Sequence, residues 1–175
     1  MIDVRQLKEA VKAGKEEYSR IRREFHRIPE LGMEEVETTE MICRYLERMG
    51  VVPHRLEPSG AFAYIGPETG FTIALRADID GLPVTEETGV KYASVHPGRM
   101  HACGHDGHIA GLLGAAEILK QREEKLSVRV KLIFQPSEEN TLGAAHILAQ
   151  GVLSDVDVIF GLHLFSDMKT GDVSI

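Results

Sequence analysis

Within the stretch Met100–His108, M-H-A-C-G-H-D-G-H, stand His101, Cys103, His105 and His108, with Asp106 among them. Each of these side chains can bind a metal ion. Cys103 and His105 flank Gly104, so a loop there can turn a sulfur and an imidazole toward one point. A thiolate and a neutral imidazole are borderline-soft donors that suit zinc and its first-row neighbours. The following run, I-A-G-L-L-G-A-A-E-I-L, places Ile109, Leu112, Leu113, Ala116 and Leu119 at helical spacing. The donors therefore lie where a loop enters a helix, and the free N–H groups there favour a thiolate over a thiol. Capping histidines and small buried cysteines produce similar short matches, so this stretch alone leaves metal binding and plain packing both open.

Further along the chain, other groups can join the same chemistry. Glu138 and Glu139 are adjacent in Q-P-S-E-E, and such a pair can divide its roles, one carboxylate on a metal and one beside it as general base. Asp78 and Asp80 read either as turn residues before Gly81 or as partners that hold a histidine ligand in one tautomer. His163 ends an apolar run, where a lone histidine is usually a core residue. His26, His54, His96 and His146 have no comparable neighbours and read as structural, and Cys43 reads as a packed core thiol. The sequence contains no G-x-S-x-G elbow, P-loop, G-x-G-x-x-G, H-E-x-x-H or C-x-x-C motif.

The elements that must position these groups follow from periodicity and punctuation. Asp3 can cap a first helix that runs, weakened at Gly14, toward Pro29, and a second is expected from about Glu35 to Met49 with Gly50 as its stop. Strands are expected at Val51–Leu56, Ala61–Ile65, Phe71–Ala77, Val128–Phe134 and Val156–Gly161, the last of them buried, with a short helix near Leu142–Ala149. Residues 84–99 read as irregular loop. Strands alternating with helices imply a mostly parallel sheet covered on both faces. Asp78/Asp80, Glu138/Glu139 and His163 would then follow three separate strands. Ligands of open α/β sheets bind outside the carboxyl ends of the strands, so these groups would converge there, and metal binding becomes the favoured reading.

Composition narrows the classes. The chain has 175 residues and a formal net charge of −7, enough for one real core and the wrong sign for a nucleic-acid surface. No apolar run is long enough to span a membrane and no secretory leader opens the sequence, so a cytoplasmic protein is expected. In that setting the two cysteines read as a metal ligand and a buried thiol rather than a disulfide.

R-A-D-I-D-G-L-P, M-H-A-C-G-H-D-G-H, F-Q-P-S-E-E and G-L-H-L, together with R-x-F-H-R-I-P-E-L-G around Phe25, resemble the metal-dependent amidohydrolases. That family includes hippurate hydrolase, N-acyl-amino-acid deacylases and auxin-conjugate hydrolases, with carboxypeptidase G and aminoacylase more distant. The resemblance covers essentially the whole chain and implies a three-layer α/β/α, zinc-exopeptidase-like (phosphorylase/hydrolase-like) domain with a mostly parallel mixed sheet. It implies a site for two divalent ions (Zn, Mn, Ni or Co), with Cys103, His105, Glu139 and His163 as metal ligands and Glu138 as general base. Asp78, Asp80, Asp106 and His108 would support those ligands; the wider clan has a histidine at the position of Asp78. The implied substrates are N-acyl amino acids or peptide-like conjugates, and the implied assembly is a homo-oligomer. Members of the family are about twice as long, so residues 1–175 are expected to be the N-terminal part of the catalytic domain, without the inserted lid or dimerisation domain and the C-terminal part. The rival expectation is a non-catalytic metal-binding domain, active only with a partner that supplies the rest.

Overall fold

A computed structural model describes residues 3–174. The helices are α1 (Val4–Ala13), α2 (Lys15–His26), α3 (Val36–Arg48), α4 (His105–Lys120) and α5 (Gly143–Ala149). The strands are β1 (Pro53–Arg55), β2 (Ala61–Ile65), β3 (Thr72–Asp78), β4 (Arg129–Gln135) and β5 (Val158–Gly161). Asp3 caps α1 as expected, its carboxylate accepting the Arg5 N–H at 2.9 Å. The single first helix of the sequence reading is instead two. Gly14 ends α1 and begins α2, and the Tyr18 ring fills the space where a Gly14 side chain would stand. Gly50 follows α3 with φ +71°, the left-handed conformation that glycine adopts freely and that stops the helix there.

The strands form one mixed sheet in the order β1-β2-β4-β3-β5. β3 runs parallel to both β4 and β5, while β2 is antiparallel to β1 and β4, so the pairings divide evenly between the two kinds. The short link from β1 to β2 permits only a hairpin, and parallel pairing needs the longer crossovers that α4 and α5 provide. Register places Asp78 beside Gln135, and Arg76 beside both Ile133 and Gly161. The carboxyl ends of β3, β4 and β5 therefore share one edge.

One face of the sheet carries the larger core. Phe25 of α2, Ile42 and Leu46 of α3, and Ile109, Leu113 and Ala116 of α4 pack there on Ala63, Ile65, Leu132 and Phe134. The stripe on α4 foreseen from spacing is thus the face it buries. Tyr18 lies over Gly114, where an added Cβ would meet its ring at 3.2 Å, so a small residue lets α2 approach α4 closely. On the other face Ile147 of α5 and Val152 cover Ala74 and Ile133. β5 departs from expectation. It starts at Val158 and is exposed along its whole length, because among the described residues nothing packs on its outer side. No described helix is long and apolar enough to cross a membrane.

Candidate metal centre

The three parallel strands deliver their groups to one place. Asp78 is the last residue of β3, Asp80 follows two positions later, the turn after β4 carries Glu138 and Glu139, and the segment after β5 carries His163. Opposite them, Gly104 takes φ +84° and turns the chain into α4, so that Cys103 precedes the helix and His105 begins it.

His105 is the centre of the group. Its Nδ1 donates to the Asp80 backbone carbonyl at 2.9 Å and faces Asp80 Oδ1 at 3.1 Å, which fixes the ring. Its Nε2 is buried and has no hydrogen-bond partner. That nitrogen is ringed by carboxylate oxygens, with Asp78 Oδ1 at 3.7 Å, Glu139 Oε1 at 3.7 Å and Glu138 Oε2 at 3.9 Å. Cys103 Sγ lies 3.5 Å from His163 Nε2, and one ligand atom from each of Cys103, His105 and His163 falls within 4.8 Å of the others. The same holds for His105, Glu138 and Glu139, and for Asp78, His105 and His108. An orphaned buried imidazole nitrogen facing carboxylates, with a thiol and a second imidazole alongside, fits a divalent cation. Such a nitrogen costs stability unless something binds it.

The supporting residues divide into two groups. His108 Nδ1 meets Asp78 Oδ1 at 2.5 Å and its Nε2 accepts the Leu164 N–H at 2.9 Å, so this ring ties the His163 segment to β3. Asp78 is also held by Arg76 at 2.7 Å. Burial raises the Asp78 carboxyl, but His108, His105 and Arg76 outweigh it and hold the group below its usual range. Asp80 is likewise raised by burial and brought down further by the His105 bond and the Glu139 and Glu138 amides. Asp106 does not join this cluster. It is the second residue of α4 and turns away from His105 to meet His26 Nδ1 at 2.8 Å and Arg22 Nε at 2.9 Å.

His26, His101 and the Cys103 thiol differ from the sequence reading. His26 has partners after all, bridging Asp106 and Glu86, and its pKa is raised, chiefly by the Asp106 bond. Residues 80 positions apart carry no sequence signal of meeting. His101 is buried with both ring nitrogens unpartnered, and burial lowers its pKa to about 4. His54 stacks on Phe62, and His96 Nδ1 donates to the Pro29 carbonyl. The Cys103 thiol is pushed up to about 11, by burial first and then by Glu139, Glu138 and Asp78, opposite in direction to the lowering expected from the helix start. Cys43 is a buried thiol, as expected. Glu35 was missed: an acidic residue at a helix start reads as a terminus signal, yet its carboxylate is buried against Ser59 and Ser137.

A mixed α/β sheet with sulfur, nitrogen and oxygen side chains gathered at its carboxyl edge places the chain in a class, the domains of zinc-exopeptidase fold. The chain belongs to peptidase family M20/M25/M40, whose profile matches residues 74–175. It is 48% identical over 158 residues to an N-acetyl-L-cysteine deacetylase of Bacillus subtilis, covering 89% of this chain and 38% of that protein. It is 46% identical over 155 residues to an IAA-amino acid hydrolase of Arabidopsis thaliana, covering 88% and 35%. A dinuclear metal-binding M20 peptidase of Bacillus subtilis superposes with a TM-score of 0.85 at 45% identity, covering 89% of this chain and 44% of that one. The chain therefore spans less than half the length of these relatives.

Proposed function

We propose that residues 1–175 are the N-terminal part of the catalytic domain of a metal-dependent amidohydrolase acting on N-acyl amino acids or related conjugates. The observation that carries this reading is the unpartnered Nε2 of buried His105, facing Asp78, Glu138 and Glu139 with Cys103 and His163 beside it. The names of the relatives, a deacetylase of N-acetyl-L-cysteine and a hydrolase of IAA-amino acids, support the substrate class.

Cys103, His105, Glu139 and His163 would hold two divalent ions, with Asp78, Asp80 and His108 fixing the rings and carboxylates that reach them. The mixed donor set suits Zn, Mn, Ni or Co. The ions supply Lewis acidity toward the amide carbonyl and lower the pKa of water. Glu138, the more exposed carboxylate of the pair, accepts a proton from the attacking water at its Oε atoms and returns it to the departing amine nitrogen. Asp80 keeps the Nδ1 proton of His105 occupied, so that Nε2 stays free as a donor atom. Nothing in this scheme requires nucleic acid or a membrane, and the cytoplasm suits a free thiol ligand.

The exposed apolar residues Val158, Ile159, Phe160 and Leu162 on and after β5 favour a second element of the reading: activity needs a further segment or chain on that edge, with a homo-oligomer as the expected assembly. The test is a paired assay. Chelated protein is reloaded with Zn(II) or Mn(II) and offered hippurate, N-acetyl-L-cysteine and an IAA-amino acid, with light scattering in parallel. Metal-dependent amine release by a form that carries the whole family length, and weak release by the 175-residue chain alone, are expected. Turnover that survives complete chelation would refute the proposal. A monomeric 175-residue chain with ordinary enzymatic rates would refute its second element.

A further inference from the structure

The turn that carries Glu138 and Glu139 rests on a carboxylate for which the scheme above has no role. Glu35, at the start of α3, is fully buried. Its Oε1 accepts the Ser137 amide N–H at 2.7 Å and its Oε2 accepts the Ser59 hydroxyl at 2.6 Å. Neither partner is a cation. A carboxylate buried in this way is costly, and an apolar side chain would fill the space more cheaply unless the acceptor atoms are needed.

Those atoms hold an uncommon piece of backbone. Ser137 has φ 59°, a left-handed conformation rare outside glycine. Its hydroxyl donates to Asn140 Oδ1 at 2.6 Å, and its carbonyl accepts the Gly143 N–H at 2.9 Å. Two residues on, the Glu139 N–H donates to Asp80 Oδ2 at 2.9 Å. Two buried carboxylates from separate elements thus pin alternate amides of one turn. Gly32 closes the turn from outside, where an added Cβ would meet Ser137 Oγ at 2.5 Å and Asn140 Nδ2 at 2.7 Å. If the Ser137 amide were released, its backbone could relax to an ordinary conformation. Each side chain beyond it would then be re-aimed.

We propose that Glu35 is a positioning residue, whose acceptor oxygens fix the Ser137 amide and so direct Glu138 and Glu139 at His105. The consequence for metal binding rests on the site reading above; the anchoring itself does not. Amide exchange followed by NMR, together with Co(II) titration of the 175-residue chain, tests both. In Glu35→Ala the Ser137 and Glu139 amides should exchange about tenfold faster or more, while those of β4 keep their protection. Co(II) affinity should fall about 10- to 100-fold, the usual effect of losing a residue that orients ligands. Glu35→Gln retains an acceptor for Ser137 and should leave both readouts near wild type, a rescue that loss of general stability would not give.

Unchanged exchange at Ser137, exchange accelerated equally throughout β4, or a Glu35→Gln as damaged as Glu35→Ala would overturn the proposal. If Glu35→Ala does not fold, Ser59→Ala decides. It removes one of the two bonds to the carboxylate and should loosen Ser137 selectively; no selective loosening there would overturn the anchor. Wild-type protein that binds no Co(II), with Ser137 still responding to Glu35, would overturn the site reading and leave the anchor standing.

Discussion

Replacing Asp80 by asparagine probes the centre with a change of only one atom, because this carboxylate serves two donors at once. Oδ1 faces His105 Nδ1 at 3.1 Å and Oδ2 accepts the Glu139 N–H at 2.9 Å. A carboxylate offers only acceptors, whereas a carboxamide offers one oxygen and one NH₂ group. The variant can therefore satisfy one donor and must turn its NH₂ toward the other. His105 Nδ1 retains the Asp80 backbone carbonyl at 2.9 Å, so the carboxamide oxygen serves the Glu139 amide and its NH₂ is left facing the His105 Nδ1–H, donor against donor. Leaving one buried donor unpaired costs about 1–3 kcal/mol, and urea denaturation of metal-free Asp80→Asn at neutral pH should show that deficit. Zn(II) affinity should fall about 10- to 100-fold, since a residue that orients the ligands has been lost. The pH dependence has a definite sign. Burial raises the Asp80 carboxyl, yet His105 and the Glu139 and Glu138 amides together hold it below its ordinary value. The stability it contributes is fully present above the unfolded carboxylate pKa of about 3.9 and is lost as pH falls from there through the folded value. The deficit of the variant should accordingly shrink in acid. Equal stability and equal Zn(II) affinity at neutral pH would refute this account of Asp80.

Other perturbations separate the roles of neighbouring residues. Cys103→Ser should weaken Co(II) binding, measured by absorbance titration, clearly more than Cys43→Ser does, since Cys43 is a core thiol; equal losses would remove Cys103 from the ligand set. In a form carrying the whole family length, Glu138→Gln should retain its metal by elemental analysis and lose about 10²- to 10⁴-fold in rate; loss of metal with residual rate would exchange the roles of Glu138 and Glu139. The Asp106 and Glu86 bonds raise the pKa of His26, so their stabilisation is full below the unfolded value of about 6.5 and fades as pH rises through the folded one. Denaturation curves should show His26→Gln most destabilised near the acid side of neutrality and closer to wild type at alkaline pH; a deficit independent of pH would mean that His26 acts by packing alone.

What the sequence revealed follows the range of each signal. The apolar stripe of α4 was legible because its spacing is local, and β2 runs over its expected range, Ala61–Ile65. The convergence of Asp78, Asp80, Glu138, Glu139 and His163 was legible because each follows a strand, and strand ends share an edge in this architecture. Which strands of the mixed sheet run antiparallel was not foreseen, since pairing direction depends on where a strand lands and not on its own residues. The exposure of β5 was hidden because V-I-F-G reads as buried whether or not a neighbour covers it. His26 with Asp106, and Glu35 with Ser137, were invisible for another reason: each pair joins distant elements, and a lone charged residue reads as surface until its partner is in place.

Anomalous diffraction at the zinc absorption edge, from crystals of the chain grown with Zn(II), shows whether His105 binds a metal ion. A peak is expected at bonding distance, about 2.0–2.1 Å, from His105 Nε2, with Glu139, Cys103 or His163 completing the set. Ordered zinc only at histidines away from this cluster, such as His54 or His146, with His105 Nε2 left bare, would contradict that reading.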